Sequence, residues 1–174
     1  MLTEPPLVLD TDLLSDFAWV NRLDILEKLY AKKMIVLDEV MNELNRVEHL
    51  AKKVQHCITN GSIKLIQILA SDPEAVELGR LLEDGRLGRG EAACMAYLRY
   101  NLGTLASKNL SDIQKLCSDK NIDLVTTPDV IYEAHQKKFI SLDEANNIWA
   151  AMIQKQRKLP TASFSDFIST LKGQ

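Results

Sequence analysis

Cysteine and histidine are scarce in this chain, and what little there is stands apart. Cys57, Cys94 and Cys117 have no close pairing and no histidine at metal-ligand spacing, so neither a zinc site nor a disulfide framework is indicated. They read as small buried hydrophobes of a reducing compartment. A basic, then apolar, then small-residue leader is missing, as is any apolar run approaching the length of a bilayer span, so the expectation is a soluble, cytoplasmic protein with no membrane role. An excess of positive charge is missing too. Lysine and arginine total 21 against 24 acidic residues, a formal charge of -3. The whole-molecule field therefore draws in no polyanion, and any such partner has to be held by local cations. The pairs Lys32 and Lys33, Lys52 and Lys53, Lys137 and Lys138, and the group Lys155, Arg157 and Lys158 are the concentrations available, and such groups are ordinarily solvated helix faces. No internal repeat, low-complexity tract or linker interrupts residues 1–174, so one domain is expected.

What is present is enough apolar material for one large core: 46% of 174 residues. Five short apolar or β-branched segments, "PLVLD", "MIVLD", "SIKLIQI", "GTLAS" and "DLVTT", read as strands, each followed by helical spacing or helix-start chemistry. After the first, Leu23, Leu26, Leu29 and Tyr30 make an apolar stripe; after the second, Val40, Leu44, Val47 and Val54 make another. Strand and helix alternate, which points to crossover units and a largely parallel sheet. Asp72 before Pro73, and Thr127 before Pro128, read as N-caps followed by a proline in the first turn. "SLDE" at Ser141 to Glu144 fits a capping box, and the helix it opens carries Ala145, Ile148, Trp149 and Met152 as a core stripe. Pro160 ends that helix, and "SFSDFISTL" offers a last amphipathic segment.

Carboxylates at the strand ends need a reason, because they are strongly hydrated groups placed at the edge of a core. In an open parallel sheet, ligands bind outside the carboxyl ends of the strands where the strand order reverses. Asp10 closes the first strand, and Asp12 follows in the turn or first helical turn; either also suits a helix cap. Ser107, Asn109 and Asp112 follow the fourth strand. Glu91 sits in a first helical turn after the bend of Gly88 and Gly90, and Glu43 lies on the helix after the second strand, on its core or its solvent side. Four acids from four segments, Asp10, Glu43, Glu91 and Asp112, can thus meet at one sheet edge. Two like charges about 4 Å apart repel by roughly 1 kcal/mol in water and by more where shielded. A proton or a cation has to offset such a cluster. Oxygen ligands without histidine or cysteine select magnesium or manganese over zinc.

In "LVLDTDLLS", "VMNEL", "LGRGEAAC" and "ASKNLSDI", taken in order, and in the segment from "DLVTTPDVIYEAHQKKF" onward, the chain resembles the PIN-domain family over nearly its whole length. The resemblance implies a three-layer α/β/α sandwich around a mainly parallel sheet of four to five strands. It also implies a ribonuclease dependent on Mg2+ or Mn2+, leaving a 3'-hydroxyl and a 5'-phosphate, and often the toxin of a toxin-antitoxin pair. Asp10, Glu43 and Glu91 match the family's first three acids. Where many members carry an aspartate directly after a Ser or Thr, this chain has Lys108 and Asn109, and Asp112 is taken as the fourth acid. Catalysis and metal binding are thus assigned to Asp10, Glu43, Glu91 and Asp112, supported by Asp12, Ser107 and Asn109. Arg86, Arg89 and Lys108, nearest in sequence, are assigned to the RNA substrate, with Lys108 expected among the acids. An antitoxin protein is an implied partner, and a homodimer is left open. The alternative is a catalytically reduced PIN-like module that binds RNA or a protein partner. A phosphatase of the haloacid-dehalogenase type fits "VLDTD" but wants a threonine or valine where Leu14 stands.

Overall fold

The computed structural model describes residues 5–108, 117 and 122–172. Its strands are β1 (Leu7–Leu9), β2 (Met34–Leu37), β3 (Ile63–Ile66), β4 (Thr104–Ala106) and β5 (Asp123–Val125), one in each segment expected from the sequence. They form a single sheet in the order β3-β2-β1-β4-β5, every neighbouring pair parallel. Parallel neighbours require crossovers, and nine helices among the described residues supply them and cover both faces, giving a three-layer α/β/α sandwich. Central β1 and β2 are buried along their whole length, as continuous apolar runs covered on both sides should be. Edge strand β3 instead exposes Lys64 and Leu65. Each fully buried leucine such as Leu7 or Leu9 stabilises the fold by about 1.5–3 kcal/mol.

The helices are α1 (Thr11–Trp19), α2 (Leu23–Tyr30), α3 (Asp38–Leu44), α4 (Glu48–Thr59), α5 (Pro73–Asp84), α6 (Arg89–Tyr100), α7 (Thr127–Gln136), α8 (Leu142–Gln154) and α9 (Phe164–Lys172). The stretches after β1 and β2 each form two helices: the stripe from Leu23 to Tyr30 lies wholly in α2, while the stripe from Val40 to Val54 is divided between α3 and α4. Asn21 takes a left-handed φ of 56°, and the Arg22 N–H returns to the Phe17 carbonyl, which ends α1 and turns the chain into α2. A tighter turn through Asn45 to Val47 separates α3 from α4.

Two caps differ in detail from the reading of the sequence. Thr126, not Thr127, caps α7 and accepts from the Asp129 N–H, which leaves the Thr127 hydroxyl available elsewhere. Ser141 caps α8 at 3.1 Å from the Glu144 N–H, but the Glu144 carboxylate pairs with Arg22 at 2.8 Å instead of completing a box. The expected core stripe of α8 is buried, and Trp149 packs against Phe164 and Phe167 of α9. Among the described residues no helix is long and apolar enough to cross a membrane.

Candidate functional site

The chain builds outward from β1 to β2 and β3, then returns to place β4 and β5 on the other side of β1. The order therefore reverses between β1 and β4, and the carboxyl ends of those strands carry Asp10 and Ser107. Asp10 is 1% exposed. It caps α1, one carboxylate oxygen accepting from the Thr11 N–H at 2.7 Å and the other from the Ser107 hydroxyl at 2.9 Å. The reading of Asp10 as a helix cap thus holds.

Burial, and then the charge of Glu91, push the Asp10 carboxyl up to about 7, while the hydrogen bonds from Ser107 and Thr11 pull the other way. Glu91 lies in the first turn of α6 and accepts the Gly88 N–H at 3.1 Å, which orients it at the helix start. Glu43 is half-buried near the end of α3 and is tied on both oxygens: Thr11 Oγ1 donates to one at 2.7 Å, and the Gly90 N–H to the other at 3.0 Å. Gly90 is needed there, because a Cβ would stand 2.7 Å from Thr11 Oγ1 and 2.8 Å from Glu43. The sealed Cys94 thiol lies within the field of all three acids. Burial raises it well above its ordinary range, and the charges of Asp10, Glu91 and Glu43 raise it further.

The other assigned residues fall in different places. Lys108 reaches not to these acids but to Asp16 on α1, at 3.2 Å. Asp12 is exposed and receives Arg157 at 3.1 Å. Arg86 pairs with Asp84 in the turn before α6. Arg89, in the first turn of α6, approaches Glu39 Oε1 at 3.4 Å. Asn109 and Asp112 lie outside the described residues.

Several residues were not singled out from the sequence. The Thr11 hydroxyl bridges α1 to α3 through Glu43. Asp16 is 0% exposed and takes the Lys108 ammonium, the Thr127 hydroxyl at 2.9 Å and Arg157 Nε. Glu39 is 8% exposed, and its Oε2 has no hydrogen-bond partner among the described residues. Burial raises the Glu39 carboxyl, the neighbouring Asp38 adds to the effect, and Arg89 offsets part of it. A signal for Asp16 did exist: it stands in "LLSDFAW", an otherwise buried helix, where an acid has to find partners.

Among the described residues no three His, Cys, Asp or Glu side chains close on a metal-sized point. Asp10 and Glu91 nonetheless fit a hard divalent cation: the donors are all oxygen, and the Asp10 carboxyl is raised by burial and by the charge of Glu91. A family model described as DUF3368: PIN domain matches residues 6–173, nearly the entire chain. No curated protein and no solved structure matches it.

Proposed function

The chain belongs to the PIN-domain family, whose fold is of nuclease type, and from that premise we propose that it is a Mg2+- or Mn2+-dependent ribonuclease acting as the toxin of a toxin-antitoxin pair. The observation that carries the proposal is the state of Asp10: a carboxylate sealed at the reversal point of a parallel sheet and pushed up to about 7 by burial and by a second acid. The hydrogen bonds Asp10 accepts from described residues come from neutral donors, and the charge acting on it most strongly is that of another acid, Glu91.

Asp10, Glu91 and Asp112 would hold the ion, with Glu43 behind them through its ties to Thr11 and Gly90. A bound divalent ion supplies Lewis acidity at the phosphoryl oxygens and lowers the pKa of water toward neutrality. The chain's own contribution is orientation. Ser107 and the Thr11 N–H fix both oxygens of Asp10, so the carboxylate meets its ligand without rotamer search. Glu43, held by α1 and by the start of α6, locks those two elements at the separation the pocket requires. Burial of Asp10 beside apolar β1 keeps bulk water from screening charge that develops at the phosphate.

The test is a nuclease assay on single-stranded RNA with and without EDTA, run beside Asp10→Asn. We expect cleavage that needs Mg2+ or Mn2+ and is lost in the variant; cleavage that ignores chelation overturns the proposal. For the toxin role, expression should arrest growth, and a small neighbouring open reading frame should relieve it.

A second reading, a reduced module that binds RNA without cutting it, draws on one observation: Lys108 and Asn109 stand where many family members carry an aspartate after a Ser or Thr. A calorimetric titration separates the two, since the reduced module binds neither Mg2+ nor Mn2+ at Asp10.

A further inference from the structure

We propose that two sets of cations, each fixed by a buried carboxylate, grip a single-stranded RNA backbone on either side of Asp10: Arg89 set by Glu39, and Lys108 with Arg157 set by Asp16. This rests on the ribonuclease reading and adds to it a path for the strand and two positioning residues, Glu39 and Asp16.

The strand order supplies the path. Along the carboxyl edge, β2 is followed by Asp38 and Glu39, β1 by Asp10, and β4 by Ser107 and Lys108. Neighbouring strands lie about 4.8 Å apart, so the ends of β2 and β4 are separated by roughly 10 Å with Asp10 between them. One phosphate is too small to touch both sides. A strand lying across the edge would meet cations before and after the phosphodiester at Asp10.

Charge supplies the need. With a formal charge of -3, the protein attracts RNA only where cations are placed deliberately, and a solvated lysine or arginine loses side-chain entropy each time it binds. Both sets remove part of that cost in advance. Glu39 holds Arg89 by one oxygen at 3.4 Å, a long contact that leaves the mostly exposed guanidinium able to reach outward. On the other side the set is two acids and two cations: buried Asp16 holds Lys108 Nζ and Arg157 Nε in addition to the Thr127 hydroxyl. The second face of Arg157 rests on Asp12, which is exposed and so can give way to a phosphate. Arg157 comes from the segment just after α8, distant in sequence from every acid of the pocket.

The experiment measures binding rather than cutting. Fluorescence anisotropy of labelled single-stranded RNA, 2 to 12 nucleotides long, is followed in EDTA over a salt series with the full chain, alongside single-stranded DNA of the same sequence. Each phosphate contact on a single strand adds about 0.7 to the slope of log affinity against log salt. Arg89→Ala, Lys108→Met and Arg157→Ala should each lower the slope by about 0.7 and weaken 12-mer binding by about fivefold at low salt. Arg157→Lys should keep the slope. The dinucleotide should bind far more weakly than the 12-mer, and DNA should share the slope because the grip is on the backbone. Thermal melts of the same samples identify any variant that fails to fold, in which case Arg89→Ala and Lys108→Met carry the test. Unchanged slopes in folded variants, or equal affinity for the dinucleotide and the 12-mer, overturn the proposal. RNA held with the expected slopes but never cut in Mg2+ or Mn2+ leaves it standing and removes the ribonuclease reading instead.

Discussion

Asp10 and Asp16 are six residues apart, one at the cap of α1 and one inside it, and both are closed to water. Their surroundings are opposite. Asp10 stands in the field of Glu91, and the donors it has among the described residues are neutral, the Ser107 hydroxyl and the Thr11 N–H. Asp16 faces two cations and a hydroxyl. Burial alone therefore says nothing about role. A buried carboxylate matched by positive charge holds elements together, here α1, the end of β4, the start of α7 and the segment after α8. One left beside another acid is strained electrostatically, and such strain persists where a cation or a proton arrives to relieve it.

The comparison is broken most forcefully at Asp10. Asp10→Asn should lower divalent-dependent cleavage by about two to three orders of magnitude. In metal-free protein the same change should stabilise the fold. An acid whose carboxyl titrates near 7 when folded, against about 3.9 unfolded, binds more protons in the native state between those values, so its contribution falls as pH rises through that window. Above pH 7 the variant should gain on the order of 4 kcal/mol in urea unfolding and lose this pH dependence, with no difference near pH 3. A parent protein whose stability is flat from pH 4 to 8 would contradict the environment described for Asp10.

At Asp16 the sign inverts. Asp16→Ala leaves Lys108 and Arg157 without their anion and should cost about 3 kcal/mol in urea unfolding. Removing all three charges together, Asp16→Leu with Lys108→Met and Arg157→Leu, should recover much of that loss; failure to recover would mean that the cations are not what Asp16 serves. Gly90→Ala tests the wall of the acidic pocket. Its Cβ would press on Thr11 Oγ1 and Glu43, and about 1–3 kcal/mol of stability should be lost, together with activity. The smallest effect is expected from Ser107→Ala, about 1 kcal/mol, with the Asp10 carboxyl titrating higher still because a donor to its charged form is gone. Carboxyl NMR against pH reads that shift directly.

Much of this architecture was legible in the residues. The five apolar segments became the five strands, and β1 and β2 are unbroken buried runs because the sheet is covered on both faces there. Asp10 and Glu43 were legible as acids after strands, and Glu91 as an acid in a first helical turn after a bend. Lys108 was legible as a cation near the site but not in its partner, since Asp16 lies 92 positions away in sequence. The cap of α7 was displaced by one residue because Thr126 and Thr127 are chemically alike, and only the surroundings reveal that the second hydroxyl is taken by Asp16.

Local order, the alternation of strand and helix and the positions of acids at strand ends follow from side-chain period and cap chemistry, which act over a few residues and are written in the chain itself. Which acids stand beside cations and which beside one another depends on strand order and helix packing. The field at a buried carboxylate comes from groups within a few ångströms, and the fold, not the sequence neighbourhood, brings Glu91 to Asp10 and Arg157 to Asp16.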